Sequence, residues 1–400
     1  MKNKLKLKIL RFINSNHNWR AILSAPPYNL IIKDLGDCTL IKYNQLFSDF
    51  KEPMVREARG IIVQKKGHKY RLVRIAFTKF FCAGDPNAKR DLYKLAHRKQ
   101  WFVEEKIDGS LITLAWWDNK WHVSTSGNID AYKAPLSFAN GGIQNFGKLF
   151  EYASKGKIDY KQLNKRFTYI FELVGLENKV VVPYEKEDVY YLGRRDNYTL
   201  LEIPYFDDDC AGVEKCKRPK CRIVKVNKNP KKVMKELQKE VNSFTKEHEH
   251  FEGYVISDRS LKTRVKMKST QYMELFFQKG NGIFSPRKIL LMILDQKDDD
   301  VLSSFPEYRP QFDEVRRAFC VWLEAVKSDL RYMDARNWDD RKKFAEWAKG
   351  TTCPSIVFSA FNNEERLDGD WLEKQVRRIQ ISNLAIQIGI EERKEDKTDV

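Results

Sequence analysis

The tetrapeptide Lys106-Ile107-Asp108-Gly109 runs into Ser110 and the apolar stretch Leu111–Leu114. It can place an amine and a carboxylate together on a tight bend at a strand entry. Upstream stand Tyr43-Asn44, Arg59-Gly60-Ile61-Ile62 and Lys79-Phe80-Phe81. Downstream come Phe171-Glu172-Leu173-Val174 with Asn178-Lys179-Val180-Val181, then Glu252-Gly253-Tyr254-Val255, and last Lys266-Met267-Lys268-Ser269 with Tyr272. The chemistry these residue types suit is nucleophilic attack by an amine on phosphorus. An ordinary lysine, with a pKa near 10.4, offers fewer than about one free amine in a thousand at neutral pH. Arg59, Lys79, Lys266 and Lys268 are expected to disfavour the ammonium form of Lys106, hold a polyphosphate and neutralise its leaving charge. Asp108, Glu172 and Glu252 are oxygen donors of the kind Mg²⁺ accepts, and one glutamate can instead hold ribose hydroxyls; sequence does not divide these roles. Phe81 or Phe171 can offer a flat base a ring face.

Each motif also has a structural reading. Asp108-Gly109 and Glu252-Gly253 can be plain turns, and Arg59 can pair with Glu57 or Asp85. Tyr43 and Tyr272 can be packing residues, while one of Phe80 and Phe81 faces the core and the other the ligand. Lys266 and Lys268, two apart on a strand, share a face under either reading.

The elements that must carry these residues change along the chain. Between about residues 40 and 275 the runs Gly60–Gln64, Tyr70–Phe77, Leu111–Trp117, Trp121–Thr125, Phe167–Val174, Val189–Leu192, Gly253–Ile256 and Thr263–Met267 read as strands. Asp118-Asn119-Lys120 closes a hairpin. A helix opens at Asn229-Pro230, with Val233, Leu237, Val241 and Phe244 on one face. After about residue 280, Ser285-Pro286 leads into Ile289–Leu294. Phe312, Val315, Phe319, Leu323 and Val326 then recur at helical spacing, followed by Arg341–Lys349. The predicted class is α+β: antiparallel sheets with flanking helices over residues 1–280, then an all-helical domain over 281–400, with the boundary loosened near Gly280 and Gly282.

The motif order from Tyr43 to Tyr272 resembles the covalent nucleotidyltransferase superfamily, and within it the RNA ligase 1 family of T-even-type phages. A fainter similarity returns over Arg341–Asn363. The resemblance implies an ATP-dependent RNA ligase with Lys106 as nucleophile, ATP as AMP donor and Mg²⁺ (or Mn²⁺) as cofactor. It further implies nucleotide contacts at Tyr43, Arg59, Lys79, Phe81, Lys106, Asp108, Gly109, Phe171, Glu172, Glu252, Lys266, Lys268 and Tyr272, with Asp108, Glu172 and Glu252 as metal ligands. AMP would pass from ATP to Lys106, then to a 5′-phosphate on RNA, and leave when a 3′-hydroxyl seals the strand. The implied partners are RNA with such ends, cleaved tRNA in particular through the helical domain, and an end-healing polynucleotide kinase–phosphatase, with the enzyme itself a monomer. Two positions depart from the family: Ser126 stands where it has a lysine, leaving Lys120, Lys133 or another cation to substitute or a sealing step to slow, and Cys82 replaces an asparagine. The rival readings are a DNA ligase or mRNA guanylyltransferase, and a non-catalytic RNA-binding protein on the same scaffold.

Composition agrees with a polyanionic partner. The 400 residues carry 73 Lys+Arg against 55 Asp+Glu, a formal charge of +18, while 42% hydrophobic content is enough to fill a core. The longest apolar runs, Leu111–Trp117 and Ile289–Leu294, are far shorter than the roughly 20 residues of a membrane span. The lysine–leucine alternation of residues 1–8 builds no secretion signal. Seven scattered cysteines suit a reducing interior, so a cytoplasmic location is expected, that of the host cell for a phage protein. Cys210, Cys216 and Cys221, with His248 and His250, have spacings outside the usual zinc knuckle and read as an insertion loop. Asp298-Asp299-Asp300 reads as a solvated helix end.

Overall fold

In a computed structural model of the chain, the β-branched and aromatic runs form strands that assemble into three sheets. The structure describes residues 7–44, 47–136, 143–178, 182, 184–226, 229–243, 251–270, 272, 285–295, 298, 301–302, 308–336, 338, 340–362 and 371–390. Lys179, Val180, Val181, Phe244, His248, His250, Gly280, Gly282, Asp299, Asp300 and Asn363 lie outside the described residues. The chain divides into two compact units, Met1–Phe276 and Phe277–Val400.

In the first unit, helices α1 (Lys8–Ser15) and α2 (Trp19–Ser24) precede sheet one. That sheet is the antiparallel meander β1 (Leu30–Leu35), β2 (Cys38–Tyr43), β3 (Arg59–Lys66) and β4 (Lys69–Arg74), with α3 (Pro53–Glu57) between β2 and β3. The strand expected over Tyr70–Phe77 ends at Arg74, and Ile75–Phe77 continue as buried irregular chain. Next come β5 (Phe81–Cys82), α4 (Lys89–Ala96), β6 (Gln100–Glu105), β7 (Ser110–Trp117), β8 (Lys120–Thr125) and α5 (Phe146–Ser154). The unit continues through β9 (Phe167–Val174), β10 (Asp188–Asp196), β11 (Glu202–Pro204), β12 (Cys221–Lys225), α6 (Pro230–Ser243), β13 (Gly253–Ser257) and β14 (Arg264–Lys268). Sheet two has the order β11-β10-β9-β7-β8, and sheet three β12-β6-β13-β14-β5. Asp118 and Asn119, at φ +47° and +59°, form the two-residue turn between β7 and β8, with Trp117 opposite Lys120.

Strand parity decides which side chains fill the core. On β9, Tyr169, Phe171 and Leu173 point into one apolar cluster with Phe150 of α5 and Tyr191 of β10, while Glu172 lies on the opposite face. On β7, Ile112 and Leu114 join that cluster; Ala115 and Trp117 pack against Cys38, Leu40, Ile62 and Val73 of sheet one. A second large cluster joins the other face of sheet one to sheet three, α1 and the apolar face of α6, where Val233, Leu237 and Val241 are buried. Cys210 and Cys216 are buried in the α5 cluster and Cys221 packs beside it; burial pushes the Cys216 and Cys221 thiols up to about 12, and all seven cysteines are free. Cys210 and Cys216 are thus core residues, with Cys221 packed against their cluster.

The second unit is helical. Ser285 caps α7 (Pro286–Leu294) by accepting from the Lys288 N–H. The long α8 (Arg309–Ala335) buries Phe312, Val315, Phe319, Leu323 and Val326 and packs on α7 and on α10 (Pro354–Phe361). Further helices among the described residues are α9 (Arg341–Lys349), α11 (Trp371–Arg378) and α12 (Ile381–Gln387). Asp298 departs from the solvated end expected of it: it is buried and ion-paired with Arg316 of α8, which supplies the counter-charge that burial of a carboxylate requires. Among the described residues, no helix is long and apolar enough to cross a membrane.

Candidate active site

Lys106 sits where the chain leaves sheet three at the end of β6 and enters sheet two at β7. Its backbone is fixed at this crossing, since the Lys106 N–H donates to the Gly253 carbonyl at 2.8 Å. Gly253, at φ +150°, must be glycine: a Cβ there would lie 2.0 Å from the Met267 carbonyl oxygen of the neighbouring strand. The Lys106 Nζ donates to Glu252 Oε2 at 2.6 Å, and the Lys268 Nζ reaches Glu252 Oε1 at 2.8 Å. Glu252 is 2% exposed and holds one lysine on each oxygen. Burial pushes its carboxyl up, but the Lys106 and Lys268 ammonium groups more than offset this and leave it below the ordinary value.

Three expected residues are engaged in building the site. Asp108 is buried; its Oδ1 accepts from the Tyr272 hydroxyl and its Oδ2 from the Val182 N–H, each at 2.9 Å, while its own N–H donates to the Tyr184 hydroxyl oxygen at 3.3 Å. This carboxylate is a clamp on the bend. Tyr272 is likewise buried, with its hydroxyl on Asp108 and the Lys268 Nζ 4.8 Å from its ring centroid, so packing rather than ligand contact describes it. At Gly109 a Cβ would meet the Leu173 carbonyl oxygen at 2.3 Å, so close approach of β7 to β9 accounts for this glycine.

Glu172 and Arg59 are differently placed. Glu172 is half-buried, and among the described residues nothing donates a hydrogen bond to its carboxylate. Burial raises it to about 7; the charges of Lys106 and Arg59 hold it down, and those of Glu252 and Asp108 push it up. Those four charges surround it. Arg59 opens β3 with its guanidinium 5.2 Å from the Phe80 ring centroid, and its Nη1 is buried with no acceptor. It pairs with neither Glu57 nor Asp85. An orphaned guanidinium nitrogen and an unbonded carboxylate in one charged cleft fit an anionic ligand and a divalent cation.

Lys266 lies on the same face of β14 as Lys268 and as Arg264, whose guanidinium pairs with Glu202 of sheet two, so this face looks toward that sheet. Lys79 is set in an aromatic nest, its Nζ 5.3 Å from the centroids of Tyr43 and Phe81 and 5.4 Å from that of Phe50. Tyr43 is half-buried there, edge-on to Phe50. Phe81 and Phe171 both depart from expectation: they are 1% and 0% exposed and locked in the two apolar clusters, and the faces of Phe81 meet the cations Lys79 and Arg56 rather than open space. At Ser126, Lys120 is not the substitute, for it sits at the far end of β8 beside the hairpin turn. Lys33 donates to the Gly127 carbonyl at 3.2 Å, and the Lys42 Nζ also lies beside Gly127. Sequence reasoning missed these two lysines, together with Val182 and Tyr184; no local signal marks them, since each joins the site by tertiary contact.

An α+β unit that sets one lysine between a shared carboxylate and a bank of cations, at the crossing of two sheets, is the frame of a nucleotidyltransferase-type ligase. A family model described as RNA ligase matches residues 57–279, more than half the chain, and the chain belongs to that family. Among curated relatives, a protein assigned as a bifunctional polynucleotide kinase/RNA ligase of Autographa californica nuclear polyhedrosis virus is 25% identical over 284 residues, 68% of this chain and 38% of that one. An RNA ligase of Rhodothermus phage RM378 is 27% identical over 44% of this chain and 45% of its own. The matched region thus spans less than half the length of these relatives. Of solved structures, an archaeal ATP-dependent RNA ligase is similar over 74% of each chain at 13% identity with a TM-score of 0.45.

Proposed function

We propose that this chain is an ATP-dependent RNA ligase that works through a lysyl-adenylate on Lys106. The observation that carries the reading is the Lys106–Glu252–Lys268 constellation, set by the sheet crossing within the region that matches the RNA ligase family. In the first step the Lys106 amine leaves its ion pair and gives up its proton to water. A bond then forms from Nζ to the α-phosphorus of ATP while the bond from that phosphorus to the pyrophosphate oxygen breaks. Lys266, Lys268 and Arg59 hold the phosphates and offset the charge that accumulates on the leaving group. Glu252 holds the ammonium in place before the step and, with its acidity raised by two lysines, is too weak a base to take the proton. A divalent cation, Mg²⁺ or Mn²⁺, would sit at Glu172 and supply charge neutralisation at phosphate oxygens.

An RNA 5′-phosphate oxygen next attacks the adenylate phosphorus as the Nζ–P bond breaks, giving RNA-adenylate and the free amine. A 3′-hydroxyl oxygen then bonds to the RNA phosphorus, its proton is lost, and AMP departs. We assign residues 1–280 to this adenylyltransferase activity. The helical domain, residues 281–400, is assigned to the RNA body, cleaved tRNA in particular, since Arg341, Lys342, Lys343 and Lys349 are exposed together on α9. An end-healing kinase–phosphatase is the matching partner, and the viral relative's name joins a kinase to a ligase.

Mass spectrometry after incubation with ATP and Mg²⁺ tests the reading: one AMP is expected on Lys106, and none in Lys106→Ala. A label on another residue, or GTP accepted in place of ATP, overturns it; sealing of DNA ends in preference to RNA ends moves the assignment to a DNA ligase.

A further inference from the structure

We infer that the unit Met1–Phe276 carries a second nucleic-acid site: a groove, remote from Lys106, that grips a single-stranded segment of RNA. The choice of RNA among polyanions rests on the function proposed above; the groove itself does not. A cavity of about 1270 Å³ opens where α1, β4, the β7–β8 turn, the stretch 164–166 before β9 and the stretch 197–200 after β10 converge. Its Trp116 lies six positions along β7 from Ser110, about 20 Å at strand spacing. Arg166 likewise precedes β9, whereas Glu172 lies toward the other end of that strand. The groove and the lysine centre therefore occupy opposite ends of one pair of strands.

The lining has the chemistry of a single-strand binder. Arg11, Lys69, Arg71, Lys165 and Arg166 face a single carboxylate, Asp118, which already accepts from the Gln64 side-chain amide at 2.7 Å and lies beside Lys66. Among the described residues, Arg11, Lys69 and Lys165 have no acidic partner, and all three are exposed. Lys165 rests on a ring instead, and Arg166 lies over one while ion-paired with Asp196 at 2.6 Å. The Lys165 Nζ is 4.0 Å from the Trp116 centroid, and the Arg166 guanidinium is 5.4 Å from that of Tyr198, a side chain 68% exposed. A cation on a ring face is a weakly held counter-charge. A phosphate draws it off and leaves the ring free to stack a base, which is how sequence-tolerant single-strand sites work. Acidic peptides would use the same cations but have no need of a flat tyrosine held in solvent.

The test uses the full chain with the triple variant Arg11→Glu, Lys69→Glu, Lys165→Glu and, separately, Tyr198→Ala, with thermal melts to verify the fold. Binding of a labelled single-stranded RNA of about 20 nucleotides is followed by anisotropy between about 50 and 200 mM salt. The triple variant is expected to bind at least about tenfold more weakly, with the log–log salt slope reduced by about two, as loss of three phosphate contacts requires. Tyr198→Ala should lose about fivefold with the slope unchanged. AMP transfer to Lys106 should proceed at the wild-type level in both. Unchanged RNA affinity and slope in the folded triple variant overturn the inference. So does loss of polyglutamate binding with RNA binding intact, which would make the groove a site for an acidic protein. Because the readout is binding, a wild-type chain that takes up no AMP while its groove variants lose RNA would refute the proposed ligase and leave the groove standing.

Discussion

The two ends of the β7–β9 strand pair handle charge in opposite ways. At the Lys106 end, carboxylates are buried and held at fixed distances: Glu252 holds two lysines, and Asp108 is fastened by Tyr272 and Val182. At the Trp116 end, cations outnumber acids in the groove, and two of them lie over rings, the half-buried Trp116 and the exposed Tyr198. A buried network fixes atoms to within tenths of an ångström, as bond-making chemistry demands. Loosely held cations on a surface suit a flexible polymer of any sequence. The same two strands thus present one precise site and one tolerant site.

The contrast can be broken or sharpened by substitution. The largest effect is expected from Lys268→Ala, which leaves Glu252 with one partner and removes a phosphate-facing cation: AMP transfer to Lys106 should fall about a hundredfold at unchanged far-UV circular dichroism. Wild-type adduct yield would show that the Glu252 network is structural only. Phe171→Ala should cost about 3–5 kcal/mol in urea denaturation, since this ring is core; a loss of ATP affinity without loss of stability would return it to the nucleotide site. Glu172→Gln separates stability from activity. The folded-state pKa of Glu172 is raised to about 7, so the protonated form is favoured by folding. Its contribution is full below the unfolded value, near 4.5, and is lost as pH climbs through 7. The glutamine variant should therefore melt higher than wild type at pH 8, by up to about 3 kcal/mol, and match it at pH 4, while needing more Mg²⁺ for AMP transfer. Equal melting at pH 8 would mean that Glu172 is not desolvated.

The strands that carry the motifs were legible because period-2 patterning and turn residues mark them locally; β7, β8, β9 and β14 are cases. Strands β1 and β12 were not. Leu30–Ile32 is followed by Lys-Asp, and Cys221–Lys225 mixes two basic with three apolar residues without alternation near a cysteine-rich stretch, so each becomes a strand only by pairing, with β2 and with β6. Lys106, Glu252 and Lys268 were found by type and order. Phe171 was misplaced although parity was available: Tyr169, Phe171 and Leu173 share a face that Glu172 does not. The Asp108–Tyr272 bond spans 164 positions and Lys33 reaches Gly127 across 94, separations at which no local pattern exists.

The crossing at Lys106 has a consequence for how damage would register. Lys106, the nucleophile proposed above, takes its position from sheet three, through Gly253, while Glu172 beside it belongs to sheet two. A substitution that slides one sheet against the other by a fraction of an ångström leaves both cores filled and the melting point nearly intact. It nonetheless takes the amine off its line of attack, so turnover is the more sensitive gauge of how these sheets are mated.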